Sequence, residues 1–253
     1  MWPFKSKPSK KSGTTFAELG AAFPLYEAPV DTATDYKGAG TCSICGQQAK
    51  VCFELGIGAA VICACPKCGT ENGLDASDCE PQPCRSCKTV IPFPIPSKDT
   101  ILTCYSCLRR GRAAITKDTE LGMISWEQAF EGITHGRPGL NHPDFEMIPT
   151  ESDWISARLP REIMFELLRT PTYSTIQGDA WQFCCKHPMT YLGQWSRDDF
   201  RKRAPDADAE TYFRSIVKDV VPGLWEDELH DETGIYVFRC SSCGRLRAHW
   251  DLA

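Results

Sequence analysis

Long hydrophobic runs and an export signal are both missing from this sequence. Its longest apolar stretch, residues 57–65, is about half of the roughly 18 residues that span a bilayer. The basic N-terminus, MWPFKSKPSKKSG, is not followed by an apolar segment or a small-residue cleavage site. We therefore expect a cytoplasmic protein that has no membrane partner.

Positive charge is scarce as well. Lys and Arg number 28 against 33 Asp and Glu, so the formal net charge is −5. Proteins that bind nucleic acid mainly through phosphate contacts are usually strongly basic. A nucleic-acid partner is therefore not expected, whereas a basic protein partner agrees with this charge.

The motifs of common catalytic sites are also missing. There is no GxSxG, HExxH or P-loop, and no HxE precedes the PCxxC-like unit at residues 83–87, as it would in a zinc deaminase. Of the five histidines, His135, His142, His230 and His249 show no ligand-like spacing. We expect a protein that is not an enzyme.

Cysteine, by contrast, is abundant. Fifteen cysteines in a chain without an export signal, an odd number, disfavour a disulfide framework. Two residues between cysteines form a tight turn that directs both sulfurs to one ion, and two such turns complete a tetrahedral zinc site. Five such units occur, at Cys42/Cys45, Cys65/Cys68, Cys84/Cys87, Cys104/Cys107 and Cys240/Cys243.

Spacing alone leaves the pairing of the first four units open. A nested scheme places the second and third units on one zinc, inside a loop that the first and fourth units close on another. A tandem scheme joins the first unit to the second and the third to the fourth.

A thioredoxin-like redox centre normally has one such unit, and an iron–sulfur cluster fits the gaps less well than a zinc ribbon. Cys52, Cys63 and Cys79 lie outside any pair and are expected to have no function.

The arrangement of these patterns predicts an α+β fold. Residues 1–35 are predicted as a flexible basic tail and lead-in. Residues 36–117 are predicted as a small β zinc-ribbon module with a second ribbon inserted at about 63–88. Residues 118–253 are predicted as an α+β domain that carries a third CxxC zinc site.

Within the last domain the sequence predicts three helices and two hairpins. The helices begin near Pro160, Ser196 and Asp208, and the third is expected to continue to Pro222 with Tyr212, Ile216 and Val220 on one face. The hairpins join residues 181–185 to 189–195 and residues 234–240 to 246–252, each with cysteines at its tip.

Several segments resemble the CbrC family of small, largely uncharacterised bacterial proteins. They are FPLYEAP at residues 23–29, CYSCLRRGRAA at 104–114, LLRTPTYSTIQGDAWQFCC at 167–185, TYLGQW at 190–195 and TGIYVFRCSSCGRLRAHWD at 233–251. The resemblance implies that the first and fourth CxxC units occupy the family's N-terminal cysteine positions. The segment from about Cys63 to Cys87 then looks like an inserted ribbon, which favours the nested scheme.

The resemblance also bears on the third site. It implies a His-Cys pair and another Cys four residues later, where this sequence has Cys184, Cys185 and Met189. A thioether is a poor zinc ligand, so Cys184 or His187 is expected to join Cys185, Cys240 and Cys243. We prefer Cys184, which requires a bulge or turn because adjacent strand residues point to opposite faces.

Members of this family are associated with tolerance of nuclease colicins and look like immunity proteins of toxin loci. The resemblance thus implies an immunity protein that has a cognate toxin, basic and nuclease-like, as partner, and the cysteine units predict that it holds three Zn²⁺ ions. The candidate contact is an acidic run with an aromatic neighbour: Trp225, Glu226, Asp227, Glu228, Asp231 and Glu232.

Two other functions stay open at this point. A zinc-ribbon module for nucleic-acid or transcription-associated binding is suggested by two basic runs, Arg109, Arg110, Arg112 and Arg201, Lys202, Arg203. The cysteine-rich half also suggests a thiol redox or metal-handling protein.

Overall fold

Short strands and a few short helices alternate along the chain. A computed structural model describes residues 13–96, 100–150, 153–175, 178, 180–221, 223–225 and 233–252. Its strands are β1 (Tyr36–Thr41), β2 (Gln48–Glu54), β3 (Ala59–Ala64), β4 (Glu71–Asp75), β5 (Gln82–Pro83), β6 (Val90–Ile91), β7 (Leu102–Cys104), β8 (Ala113–Ile115), β9 (Arg137–Pro138), β10 (Glu146–Pro149), β11 (Trp154–Arg158), β12 (Phe183–Cys184), β13 (His187–Pro188), β14 (Thr190–Gln194), β15 (Thr233–Arg239) and β16 (Leu246–Leu252). Its helices are α1 (Tyr105–Arg109), α2 (Trp126–Glu131), α3 (Arg161–Leu168), α4 (Arg197–Arg203) and α5 (Ala209–Ile216).

The strands form small antiparallel sheets. The three-stranded sheets have the orders β1-β2-β7, β4-β3-β8, β10-β11-β9 and β14-β15-β16, and β5-β6 and β12-β13 are two-stranded. Small sheets joined by cysteine-bearing turns, with few helices, confirm the predicted α+β class. Pairing of β2 with β7 closes a long loop, and the sheet strands β3 to β6 lie inside that loop along the chain.

The main core draws side chains from nearly the whole described chain. Phe16 is fully buried and its ring contacts Phe23 and Tyr26, with centroids 5.3 and 5.5 Å away. The described part of the predicted lead-in, residues 13–35, therefore packs on the core, whereas residues 1–12 lie outside the described residues. Lys117, at the predicted domain boundary, is buried and donates from Nζ to the hydroxyl of Thr172 at 2.9 Å. The domain division itself stays a prediction.

Strand β15 separates two cores. Its side chains alternate between faces, as in any strand. Tyr236 and Phe238 enter the main core, whereas Ile235 and Val237 enter a second core beneath α4 and α5. Burial on both faces explains why this strand is apolar without an alternating polar pattern.

The predicted helices begin where the capping signals place them. Ser196 and Asp199 form a capping box at the start of α4, and Asp208 accepts the N–H of Thr211 at the start of α5. Helix α3 follows Pro160 directly.

Helix α5 is shorter than predicted, and its most buried side chain differs from the expected ones. It ends at Ile216 because Val217 turns extended and the next residue donates its N–H to Ala248 in β16. Phe213 is fully buried, whereas Ile216 is only partly buried. Pro222, the expected helix end, lies outside the described residues.

The first predicted hairpin is wrong in its pairing. Cys184 pairs with His187 across a two-residue turn, and the hairpin ends where the N–H of Met189 donates to the carbonyl oxygen of Gln182 at 2.9 Å. Strand β14 pairs with β15 instead of folding back on residues 181–185. The second predicted hairpin is present as β15 and β16.

Across the described residues, none of the helices has the length and apolar character needed to cross a bilayer.

Candidate metal centres

Twelve of the cysteines form three groups of four. Within each group the four sulfur atoms all lie within 4.8 Å of one another. The outer site contains Cys42, Cys45, Cys104 and Cys107; the inner site contains Cys65, Cys68, Cys84 and Cys87; the C-terminal site contains Cys184, Cys185, Cys240 and Cys243. The first four CxxC units are thus nested and not in tandem.

The outer site joins the β1–β2 turn to the start of α1. Gly46 closes the first CxxC turn with φ of 71°, a conformation that glycine adopts without a Cβ penalty. At the second turn, the N–H of Cys107 donates to the sulfur of Cys104 at 3.4 Å. The N–H of Cys104 itself donates to the sulfur of Cys42 at 3.3 Å, so the two turns are linked directly.

The inner site joins the β3–β4 turn to the β5–β6 turn. Asn72 is 4% exposed and holds both halves together: its amide nitrogen lies 3.7 Å from the sulfur of Cys84 and its oxygen accepts the N–H of Arg85 at 2.9 Å. Sequence reasoning missed Asn72. Its position in a strand four residues after Cys68 is the only signal that could have indicated it.

The C-terminal site contains two adjacent cysteines. Cys185 and Lys186 have φ of 54° and 63°, the left-handed values of a type I′ hairpin turn. This turn brings the sulfur of Cys185 to 3.8 Å from that of Cys184, which lies 3.7 Å from that of Cys243. The alternative ligand, His187, is exposed and lies outside this group.

The sulfur spacing fits zinc. At a zinc–sulfur distance of about 2.3 Å, the edge of a regular tetrahedron is about 3.8 Å. Close sulfur pairs lie from 3.6 Å apart, for Cys68 and Cys84, to 4.0 Å apart, for Cys45 and Cys104, and all pairs within a group lie within 4.8 Å. Four thiolates at this spacing complete the coordination of one ion, which is the arrangement of a structural site.

The electrostatics of the groups favour a bound cation. Burial raises the pKa of the Cys42 thiol, but backbone N–H donors outweigh it and lower the pKa to about 7. The same balance of burial against N–H donors lowers the pKa of Cys240 to about 7. Burial and the neighbouring thiols raise the pKa of Cys184 to about 12. Some thiols of a group are thus poised to ionise, and the others follow only when a positive ion compensates the charge.

The three remaining cysteines lie outside these groups. Cys52 is fully buried and lies directly opposite Cys104 in the β2–β7 pair. Burial raises its pKa and that of the half-buried Cys63. Cys79 is half-buried as well, and its sulfur lies 3.4 Å from the carbonyl oxygen of Ala76.

Of the residues predicted for partner binding, the structure describes Trp225. Trp225 packs against Phe213, with centroids 5.2 Å apart, and the Arg197 guanidinium lies over its ring. The acidic residues Glu226, Asp227, Glu228, Asp231 and Glu232 lie outside the described residues.

Three members of the basic runs are engaged in ion pairs. Arg109 donates two hydrogen bonds to Glu166, at 2.7 and 3.0 Å. Arg201 pairs with Asp198 and Arg203 with Asp199, within helix α4.

Comparison with known proteins gives one result. A search of curated proteins and a search of solved structures returned no match. The model of an uncharacterised protein family, UPF0167, matches residues 75–252. That range is well over half of the chain and contains all four ligands of the C-terminal site, together with Cys84, Cys87, Cys104 and Cys107. The chain belongs to the UPF0167 family.

Proposed function

We propose that this protein is an immunity protein, which binds a basic, nuclease-like toxin and blocks it, and that three structural Zn²⁺ ions maintain its fold. The observation that carries the zinc part is the closed set of four thiolates at each site. The immunity role is supported by the resemblance to the CbrC family, and the net charge of −5 suits a basic partner.

Zinc would act in folding. Structural zinc contributes an apparent free energy on the order of 10 kcal/mol in small modules. The inner site is where this matters most, because β5 and β6 have two residues each and little apolar surface to hold them. Its four cysteines would then determine whether this region folds.

We propose no enzymatic activity. A hydrolytic zinc site keeps one coordination position open for water or substrate. Each group here offers four protein sulfurs to one ion, which leaves no such position. An immunity protein needs only a surface that covers the toxin, so this proposal agrees with structural sites.

The alternative of nucleic-acid binding is weakened by the ion pairs. Arg109 is bound at both terminal nitrogens by the Glu166 carboxylate, and Arg201 and Arg203 have carboxylate partners on their own helix. A phosphate would have to displace these partners. A thiol redox function is weakened by the grouping of the CxxC units in fours.

The acidic run beside Trp225 is the proposed contact with the toxin. Five carboxylates within seven residues create a negative field that steers a basic partner. The side chain of Trp225 already packs on Phe213, so it would present a preformed aromatic surface beside the run.

The test uses the product of the gene adjacent to this one, which the proposal predicts to be the toxin. The proposal predicts that the zinc-loaded protein captures this toxin in a pull-down and protects cells that express it. Capture without protection, or no capture, would contradict the immunity role.

The contact surface has its own test. Reversing the charge of Glu226, Asp227 and Glu228 to Lys should slow association, with a penalty that shrinks as salt rises. The matched control reverses Glu71, Asp78 and Asp144, which are exposed and lie elsewhere in the chain. If both triple variants slow association equally, net charge alone explains the effect. If reversing Glu226, Asp227 and Glu228 leaves the association rate unchanged, the contact lies elsewhere.

A further inference from the structure

A cleft separate from the metal centres opens between β16, the segment after α5 and the segment before β12. Its volume is about 450 Å³, and no cysteine lines it. Sites for small molecules usually have about 300–1,000 Å³. Two of the segments that carry the family resemblance, residues 167–185 and 233–251, contribute to its wall, and neither the metal centres nor the proposed toxin contact uses these cleft residues.

The buried wall of this cleft contains an acceptor to which none of the described residues donates. Gln182 is 2% exposed, and its side-chain nitrogen donates to the carbonyl oxygen of Ala180 at 2.8 Å. This bond sets the orientation of the amide. Its oxygen, Oε1, receives no hydrogen bond from any described residue. The oxygen itself has almost no exposed surface, but Gln182 lines the cleft. Because buried polar atoms nearly always have a partner, a small movement of this amide would offer its oxygen to an N–H group of a ligand.

His249 lines the same cleft and is joined to Gln182 through Ala180. The N–H of Ala180 donates to the Tyr173 hydroxyl at 2.8 Å, and that hydroxyl lies 2.7 Å from Nε2 of His249. Burial lowers the pKa of His249 to about 4, so the ring is neutral at pH 7. The hydroxyl engages Nε2, and no described residue bonds the second nitrogen, Nδ1.

The exposed rim of the cleft carries two cations and one carboxylate. Arg137 and Lys218 are both exposed there, with Asp219 as the exposed carboxylate beside them. Glu120 also lines the cleft, but it accepts two hydrogen bonds from Arg247, both at 2.9 Å, so its charge is already compensated.

Lys218 is only weakly attached to this pair. Its ammonium lies 3.7 Å from the Glu120 carboxylate, and its side chain is 53% exposed. Asp251 also lines the cleft, but it is 6% exposed and accepts the Tyr236 hydroxyl at 2.8 Å. At the exposed rim a carboxylate or phosphate would therefore meet two cations and the carboxylate of Asp219. The ring of Trp250, held by a hydrogen bond from its N–H to the carbonyl oxygen of Asp219 at 3.2 Å, supplies an aromatic wall.

We propose that this cleft binds a small anionic molecule that also carries an N–H donor. The N–H group donates to Oε1 of Gln182, and the carboxylate or phosphate lies at Arg137 and Lys218. Nucleoside monophosphates and N-acylated amino acids both have this chemistry. The proposal does not depend on the immunity role.

The test is calorimetric titration of the full-length, zinc-loaded protein with two sets of probes. One set contains AMP, GMP, CMP and UMP, and the other contains N-acetylated amino acids. Inorganic phosphate and acetate serve as anions without an N–H group. We expect a member of one set to bind with a Kd below about 1 mM, and phosphate and acetate to bind at least about tenfold more weakly. The set that binds identifies the source.

Variants test the assigned contacts. Gln182→Leu should weaken binding about tenfold, which corresponds to the loss of one hydrogen bond. Lys218→Met should lower the affinity for the probe and reduce the dependence of that affinity on salt. Lys202→Met removes an exposed lysine on α4 and should change neither.

Three results would overturn the proposal. The first is that neither set binds. The second is that phosphate or acetate binds as tightly as the best probe. The third is an unchanged affinity in folded, zinc-loaded Gln182→Leu. If that variant does not fold, unchanged affinity in Lys218→Met and Arg137→Met, both at exposed positions, has the same consequence.

Discussion

Replacing one ligand of the C-terminal site should remove one zinc ion and leave the other two. Cys240 is 2% exposed and follows β15, the strand that separates the two cores. Cys240→Ser replaces its sulfur with a hydroxyl, a much weaker zinc ligand at neutral pH. The outer and inner sites use separate cysteines, so they should keep their metal.

The expected loss of zinc affinity in Cys240→Ser follows from the four-thiolate geometry of the site. An apparent zinc-binding free energy on the order of 10 kcal/mol, divided equally among four thiolates, gives about 3 kcal/mol for one ligand. This loss corresponds to about two orders of magnitude in zinc affinity. Without the metal, the turn at Cys185 and Lys186 would lose its attachment to β15 and β16. Both residues of this turn have left-handed backbone conformations, which the site helps to hold.

The assay is elemental analysis after dialysis against a zinc buffer of moderate strength. The wild-type protein should retain three zinc ions per chain and Cys240→Ser two. Cys63→Ser is the matched control, because this half-buried thiol belongs to none of the three groups. Retention of three ions by Cys240→Ser, or loss of zinc from Cys63→Ser, would refute the reasoning.

Three further predictions concern stability, each measured by urea denaturation. The pKa of His249 is about 4 in the folded protein against 6.5 otherwise, so this group alone makes stability fall by at most about 3 kcal/mol as pH drops through this window. Asp35 acts in the opposite sense, because burial raises its pKa from 3.8 to about 6. His249→Gln should remove only the histidine contribution and so increase stability at acid pH relative to pH 7; an unchanged pH dependence contradicts the assignment. Glu120→Gln should lower the free energy of unfolding by about 3 kcal/mol, because it leaves Arg247 without its carboxylate partner. An unchanged urea midpoint would show that the ion pair contributes nothing to stability. Gly136→Ala should lower the free energy of unfolding by well over the roughly 1 kcal/mol of a left-handed non-glycine residue, because its Cβ would overlap a backbone carbonyl. The control is Gly139→Ala, which is also left-handed but lies in open space and should lower it by only that amount.

The chemistry of the sites could be predicted from the sequence, but their connectivity only in part. Tight CxxC turns are local features, and the glycines at 46, 69 and 244 have the positive φ that such turns favour. Which turn meets which depends on strand pairing over long separations. The β2–β7 contact brings the first and fourth units together, and no local pattern specifies that contact.

The wrong hairpin has a similar cause. Residues 189–195 have the composition of a strand, and they form one, but composition does not name the partner strand. The turn at Cys185 and Lys186 also lacks the Asn-Gly type of signal that marks a type I′ hairpin. Its left-handed residues are a cysteine and a lysine, so the short hairpin could not be recognised from residue preference.

The measurement that tests the account most directly is the metal content of the purified wild-type protein. Three groups of four cysteines, with sulfur spacings close to the edge of a zinc tetrahedron, predict three zinc ions per chain. Fewer than two zinc ions per chain, or iron in their place, would contradict it.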